Sequence, residues 1–208
     1  MEYYRNYTEL AQHARADIDF TVEVREGASG ILVMAIHGGG IEPGTSELAD
    51  AIAGSRHAYY SFRGLMPSDN RILHLTSRNF DEPSALALVE RSDAVVSIHG
   101  CGGNAPVVDI GGRHLELRAG VGAWLRRAGF AVRESPFFPG AHPLNICNRC
   151  RSGKGVQLEL SAGLRRRMFA GSLQSGQKQP NAVFERFARA VRKALQGHLD
   201  GAQREVPS

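Results

Sequence analysis

Two histidines and two glutamates in this sequence stand at or just beyond the ends of short apolar runs. His37 directly follows one such run, and Glu42 lies beyond the three glycines that come after it. His99 directly follows a second run, and Glu159 lies near the end of a third. Two imidazoles and a carboxylate form a ligand set of catalytic zinc ions, which keep the fourth position for water. The second carboxylate would then act as the general base.

Ordinary structural roles compete with this interpretation for each residue taken alone. A histidine at a strand end is most often hydrogen-bonded there, and a glutamate most often caps a helix or carries a surface charge. All four residues, however, fall where the strands of an α/β sheet end, which is the edge at which such sheets bind ligands. The glycines at positions 38, 39 and 40 also allow a tight turn that can bring Glu42 back towards His37. We therefore predict a metal-dependent active site.

Strands and helices must position these residues. Short runs rich in Val and Ile alternate along the chain with segments of helical period, which is typical of an α/β sheet. Strands are predicted at residues 31–36, 57–62, 71–75, 93–98, 107–110, 130–133 and 155–160. Helices are predicted to begin at Thr45 or Ser46 and to span residues 81–91, 115–129 and 181–195. The expected fold is a single-domain, three-layer α/β structure with an open mixed sheet flanked by helices.

The composition is that of an ordinary folded protein, with 208 residues, 42% of them hydrophobic, and a formal net charge of +4. Basic residues are spread along the chain, and the one run, residues 165–167, is interpreted as solvated surface because nucleic-acid-binding faces combine a dense basic patch with aromatic residues. No stretch approaches the roughly 18 apolar residues of a membrane span, and the first residues lack the apolar core of a signal peptide. We expect a cytoplasmic monomer that binds neither nucleic acid nor membranes, with one domain over residues 1–199 and a frayed tail over residues 200–208.

Three other motifs fit known sites less well. His-Gly-Gly-Gly is also the oxyanion loop of lipase-like hydrolases, but the nearest nucleophile motif, residues 159–163, begins with glutamate and lacks the acid and histidine that must follow in that order. Residues 152–155 lack the leading glycine of a phosphate-binding loop. Cys147 and Cys150 have the spacing of half a zinc site, but Cys101 is the only other cysteine, so the three thiols are expected to be free.

Four sequence blocks resemble the poly-γ-glutamate hydrolase family of bacteriophages and bacteria. They are residues 36–47 (IHGGGIEPGTSE), 75–77 with 80–83, 97–100 (SIHG) and 153–161 (GKGVQLELS). The resemblance covers nearly the whole chain. It implies a small zinc peptidase with an open α/β core similar to that of zinc carboxypeptidases, and cleavage of the γ-glutamyl amide bonds of poly-γ-glutamate.

Carried onto this sequence, the resemblance implies one Zn²⁺ ion held by His37, Glu42 and His99, with Glu159 as the catalytic base. These are the same four residues that the strand ends indicate.

The substrate carboxylates of such an enzyme require cations, and the resemblance to carboxypeptidases points to a loop. Residues 135–154 have neither a helical nor a strand period, so we predict a long ordered loop, in which Asn148 and Arg149 are the candidate pair for a substrate carboxylate. The alternative for Arg149 is an exposed loop cation. Arg113, Arg149 and Arg151 are candidates for holding the free α-carboxylate that each unit of a γ-linked chain exposes.

The leading hypothesis is a zinc-dependent hydrolase that cleaves γ-glutamyl amide bonds with metal-activated water and a glutamate general base. A zinc amidohydrolase of N-acyl amino acids or peptidoglycan fragments would keep the same centre and change the substrate. A metal-free, replication-associated binding protein would retain only the sheet.

Overall fold

A mixed sheet of seven strands carries each of the four candidate site residues, or the loop that holds it, in the computed structural model, which describes residues 2–134, 137–173 and 178–204. These strands are β1 (Phe20–Arg25), β2 (Ile31–Gly39), β3 (Ala58–Gly64), β4 (Ala94–Cys101), β5 (Val107–Gly111), β6 (Ala131–Glu134) and β7 (Val156–Ser161), and a separate small pair consists of β8 (Phe169–Ala170) and β9 (Gln179–Pro180). The helices are α1 (Tyr7–His13), α2 (Thr45–Ala53), α3 (Pro83–Arg91), α4 (Leu115–Arg127), α5 (Ala162–Met168) and α6 (Ala182–Arg204), with 3₁₀ turns at Asn70–Leu73 and Ile146–Asn148.

The strand order of the large sheet, β1-β3-β2-β4-β7-β5-β6, places four mutually parallel strands at the centre. β3, β2, β4 and β7 pair in parallel, whereas β1 and β5 run antiparallel to their neighbours β3 and β7. The carboxyl ends of β2, β4 and β7 therefore meet at one edge of the sheet. The register of the last two places His99 directly opposite Glu159.

Helices cover both faces of the sheet, which confirms the predicted three-layer α/β domain with a mixed sheet. One apolar core joins the sheet to α2, α4, α5 and α6, and a second joins it to α1 and α3. β2 contributes to both: Val33 and Ala35 face the first core, while Leu32 and Met34 face the second. This explains why β2 is an uninterrupted apolar run, as central parallel strands usually are.

The strand predicted at residues 71–75 is wrong, because this segment forms the 3₁₀ turn and an irregular connection instead. Asn70 stabilises the turn by accepting a hydrogen bond from Met66 N at 3.0 Å and by donating one to Met66 O at 2.6 Å. Leu73 and Leu75 are fully buried in the second core without pairing to any strand. Apolar spacing alone therefore does not separate a strand from a loop that is anchored in the core.

Helix α2 starts where predicted, but neither Thr45 nor Ser46 caps it. Its N-cap is Gly44, which has a φ of 97°. The Ser46 hydroxyl instead accepts a hydrogen bond from Gly39 N at 3.0 Å.

Asn181 does cap the last helix, because its side chain accepts from Val183 N at 2.9 Å. This helix continues to Arg204, into the segment 200–208 that was expected to fray, and residues 205–208 lie outside the described part. Among the described residues, no helix has the length and apolar character needed to cross a membrane.

Candidate metal centre

The ligand atoms of His37, Glu42 and His99 converge at the carboxyl edge of the sheet. His37 Nδ1 lies 3.1 Å from Glu42 Oε1 and 3.1 Å from His99 Nδ1. His99 Nδ1 lies 3.8 Å from Glu42 Oε2. Both histidines are 2% exposed, so water competes little for these atoms. In the described part of the chain, these three residues form the group with the spacing of a metal site.

A tight turn after β2 returns Glu42 to His37. Glu42 N donates a hydrogen bond to His37 O at 2.8 Å, and Gly39 has a φ of 61°, in the left-handed region that favours glycine. A Cβ atom at Gly38 would lie 2.0 Å from the Ser46 hydroxyl, so glycine is required there too. The sequence-based expectation that these glycines allow the return of Glu42 is therefore confirmed.

Outer hydrogen bonds fix the orientation of each candidate ligand. His37 Nε2 lies 2.7 Å from Leu75 O, and since a carbonyl only accepts, Nε2 carries the hydrogen and Nδ1 is the atom available to a metal. His99 Nε2 lies 2.8 Å from the Ser97 hydroxyl, and Gly100 N donates to Glu42 Oε2 at 2.7 Å. Metal-binding histidines commonly have their second nitrogen held in this way.

The charges within the cluster favour a protonated His37 when no cation is present. Burial works against a charged imidazole, but the charge and hydrogen bond of Glu42 raise the pKa of His37 above its ordinary value. Burial also works against a charged Glu42, yet His37 and its other neighbours lower the pKa of this carboxyl to about 2. Burial, followed by the charge of His37, lowers the pKa of His99 to about 3. Glu42 therefore favours the protonated form of His37, and a metal ion bound at the site would replace that proton.

The donor set fits zinc in both chemistry and spacing. Zinc takes imidazole nitrogens and carboxylate oxygens at about 2.1 Å in tetrahedral geometry, which sets neighbouring ligand atoms roughly 3.4 Å apart. His37 Nδ1 lies 3.1 Å from His99 Nδ1 and 3.1 Å from Glu42 Oε1, close to that value, and the other carboxylate oxygen, Oε2, lies 3.8 Å from His99 Nδ1. Three protein ligands leave one position open, which is the pattern of a catalytic site rather than a structural one.

Glu159 lies beside this cluster on β7 and is 7% exposed. Its Oε1 accepts a hydrogen bond from Gln157 Nε2 at 2.9 Å, and Gln157 is held in turn by Asn145 at 2.8 Å. Burial, and then the charge of Glu42, raises the pKa of Glu159 to about 8. A carboxyl with so high a pKa in a cleft is a candidate acid–base group.

His74 is a residue at the site that sequence reasoning missed. Its ring stacks on that of His37 with centroids 3.9 Å apart, and its Nε2 lies 3.8 Å from Glu42 Oε1. Burial, followed by the charge of His37, lowers the pKa of His74 to about 4, so it is neutral near pH 7. The signal for it was weak because residues 71–75 resemble a strand.

A cavity of about 820 Å³ opens onto the cluster. Besides the ligand candidates and Glu159, its walls include His74, three arginines and two aromatic residues, namely Arg71, Arg78, Arg165, Phe137 and Phe138. The four residues predicted to hold substrate carboxylates, Arg113, Asn148, Arg149 and Arg151, are not among those that line it.

The contacts of Asn148 explain why it does not reach this cavity. The residue is 3% exposed, and its Nδ2 donates to Gly140 O at 2.6 Å and to His142 O at 3.0 Å. Its Oδ1 accepts from Gly155 N at 3.0 Å and from Arg113 N at 3.3 Å. The side-chain amide of Asn148 is thus used to shape the predicted long loop.

The arginines of that prediction lie elsewhere on the surface. Arg151 is exposed and pairs with Asp93, with Nη1 and Oδ1 3.2 Å apart. Arg149 is half-buried and Arg113 is exposed. The three cysteines are free thiols, as expected, and Cys101 alone of them lines the cavity.

The chain is similar over most of its length to known proteins. Residues 4–190 match the family described as poly-gamma-glutamate hydrolase. The UPF0714 protein YndL of Bacillus subtilis (strain 168) is 36% identical over 196 residues, which cover 92% of this chain and 77% of YndL. The structure of a bacteriophage poly-gamma-glutamate hydrolase has a TM-score of 0.92 and 32% identity, with 97% of this chain and 100% of that chain covered. A structure described as zinc-free apo YndL has a TM-score of 0.88 and 34% identity, with 95% and 99% covered.

Proposed function

The chain belongs to the poly-gamma-glutamate hydrolase family, and from this premise we propose that it is a zinc-dependent hydrolase of γ-glutamyl amide bonds. The observation that carries the proposal is the convergence of two imidazole nitrogens and a carboxylate at 3.1–3.8 Å on a cavity that also contains Glu159. The zinc-free description of one relative's structure supports zinc as the metal.

His37, Glu42 and His99 would hold the ion. When bound there, zinc would lower the pKa of a water molecule and favour negative charge on the scissile carbonyl oxygen. Burial and Glu42 keep Glu159 protonated near pH 7 without a cation, whereas a nearby divalent charge favours its carboxylate. Glu159 therefore becomes a base when the centre is loaded.

Glu159 then moves the proton that hydrolysis requires. Its Oε1 is engaged by Gln157, which leaves Oε2 to accept the proton of the attacking water. As the water oxygen bonds to the amide carbon and the carbon–nitrogen bond breaks, Oε2 passes that proton to the leaving amine. Gln157 and Asn145 hold Glu159 in one orientation throughout.

Arg71 and Arg78 are our candidates for substrate recognition. A γ-linked glutamate chain exposes a free α-carboxylate on each unit, so it is a polyanion. Both arginines are exposed on the cavity wall, and neither side chain forms an ion pair within the described residues. A guanidinium matches the two oxygens of a carboxylate, which would favour this substrate over an uncharged amide.

The test is a comparison of substrates with the zinc-loaded protein. Chain length and products are measured for poly-γ-glutamate, α-linked polyglutamate, N-acyl amino acids and peptidoglycan fragments. We expect cleavage of the γ-linked polymer and no cleavage of the α-linked one. Hydrolysis of only the small amides, or less than about a tenth of an equivalent of zinc bound after zinc addition, would contradict the proposal.

A further inference from the structure

Arg165 is a buried cation beside the candidate metal centre. It is 8% exposed and lines the cavity, although its neighbours Arg166 and Arg167 in α5 are exposed. No carboxylate forms an ion pair with it among the described residues, and burial lowers its pKa. Burying a charge without an ion-pair partner is unfavourable unless hydrogen bonds compensate.

The compensating hydrogen bonds go to three carbonyl groups on three different segments. Arg165 Nη1 donates to Pro43 O at 2.9 Å, Nη2 to Cys101 O at 3.1 Å, and Nε to Leu160 O at 3.2 Å. Pro43 follows Glu42 in the chain, Cys101 lies two residues beyond His99, and Leu160 follows Glu159. One guanidinium thus joins the three backbone segments that carry a candidate ligand or the base.

Gly100 makes room for this arrangement. A Cβ atom at this position would lie 2.6 Å from Arg165 Cζ and 2.7 Å from Nε. The Gly100 N–H also donates to Glu42 Oε2 at 2.7 Å. The same glycine therefore holds a candidate ligand with its backbone and allows the guanidinium to lie against it.

We propose that Arg165 is a positioning residue that holds the segments of two zinc ligands, Glu42 and His99, in register with the segment of Glu159 through these three carbonyl groups. This inference rests on the proposed function. If Arg165 acted through its positive charge alone, its removal would change zinc affinity in the opposite direction, because a nearby cation opposes the binding of a second cation. Loss of Arg165 should weaken zinc binding if positioning dominates and strengthen it if charge dominates.

The experiment measures zinc affinity of the full chain by competition with a chelator, for Arg165→Met, Arg165→Lys and the parent. Both variants should bind zinc about 10- to 100-fold more weakly, an effect as large as that of removing a hydrogen-bond partner of a ligand, because two ligand-bearing segments lose their shared anchor. Lysine keeps the charge but cannot donate in the planar fork that reaches three carbonyl groups, so it should not restore affinity. Arg166→Met is the matched control, because Arg166 is exposed and contacts Asn104. It should bind zinc as the parent does.

The visible spectrum of bound Co²⁺ gives a second readout that a purely structural role would not change. Its bands depend on coordination geometry and should change in both Arg165 variants but not in Arg166→Met. If Arg165→Met does not fold by circular dichroism, Arg165→Lys decides, since it keeps the charge and loses the contact with three carbonyl groups.

Three results are distinguishable. Zinc affinity within about twofold of the parent in both Arg165 variants would overturn this inference and leave the proposed function intact. Tighter zinc binding by Arg165→Met would assign the effect to charge and also overturn it. A parent protein that binds no zinc would overturn the proposed function and this inference with it.

Discussion

Replacing Glu159 with glutamine should separate zinc binding from catalysis. The amide has the size of the carboxyl, and its oxygen can still accept the hydrogen bond that Gln157 donates at 2.9 Å. With a pKa of about 8, Glu159 is protonated near pH 7 when no cation is bound, so a neutral amide resembles the residue it replaces in the metal-free protein. Fold and metal-free stability should therefore change little.

The loaded enzyme should lose most of its activity, because glutamine cannot accept a proton from water. A positioned general base contributes about 10²- to 10⁴-fold to the rate, or roughly 3–5.5 kcal/mol at about 1.4 kcal/mol per decade. The loss should be in kcat, because Glu159 transfers a proton in the reaction, whereas substrate binding is assigned to the cavity arginines. The three proposed ligands remain, so zinc content should stay near one equivalent.

The assay combines metal analysis with initial rates on poly-γ-glutamate at saturating zinc. His99→Ala serves as the comparison, because it removes a ligand from the strand position opposite Glu159 and should lose zinc as well as activity. Glu185→Gln is the matched control: it makes the same chemical change at an exposed position of α6 and should leave both quantities unchanged.

Glu159 is not the general base if Glu159→Gln retains more than about a tenth of the parent kcat with zinc bound, since a general base should contribute more than that. Loss of zinc from Glu159→Gln to the same extent as from His99→Ala would instead make Glu159 a ligand.

Three further predictions concern protons, substrate charge and the core. Zinc affinity should fall by more than tenfold per pH unit as the pH decreases through neutrality. The reason is that His37, whose pKa is raised, and Glu159, whose pKa is about 8, must both lose protons when zinc binds. Calorimetry in buffers of different ionisation enthalpy counts the protons released. Arg71→Gln and Arg78→Gln should each raise KM for poly-γ-glutamate about twofold to fivefold at unchanged kcat, and added salt should reduce the difference in KM from the parent. KM values equal to that of the parent at low salt would exclude a role in binding. Phe187→Ala should lower the free energy of unfolding by about 3–5 kcal/mol in urea titrations of the metal-free protein, since the ring is fully buried, and zinc stoichiometry should be kept.

Three of the four central residues were predictable because their chemistry coincides with a strong local pattern. His37 and His99 end apolar runs long enough to be identified as strands, and Glu159 lies in a third run of the same kind. Glu42 needed one additional argument, the conformational freedom of the glycines before it. The pairing that sets His99 opposite Glu159 had no local signal, since β7, and not the next strand in sequence, β5, lies beside β4.

The cavity wall could not be predicted in the same way. Arg71, His74 and Arg78 lie on a connection that is held by an asparagine side chain and by buried leucines rather than by strand pairing. Their positions depend on tertiary contacts, which leave no period in the sequence. Asn148 shows the opposite case: an amide in a predicted functional loop was interpreted as a ligand for substrate, but it is fully used by backbone groups.

Arg165 shows why a charged run is a poor indicator of its members' surroundings. Residues 165–167 are identical in type, but successive residues of a helix differ in direction by about 100°. In α5, Leu164 and Met168 are buried, and so is Arg165. Helical phase explains why Arg166 is exposed, but Arg165 and Arg167 lie at about equal angles on either side of the direction midway between Leu164 and Met168. The three carbonyl groups that accept hydrogen bonds from Arg165 distinguish it from Arg167.

The charges around the centre explain how a buried site can exchange protons for a divalent ion. Without a cation, Glu42 favours a proton on His37, and burial favours the protonated, neutral form of Glu159. With a divalent ion bound and both protons released, Glu159 is negative and His37 is neutral, so the net charge of the group is the same in both states. Because desolvation penalises net buried charge most, the exchange needs little rearrangement of the surroundings. The base is generated by the same event that loads the metal, which ties the protonation state of Glu159 to occupancy of the centre.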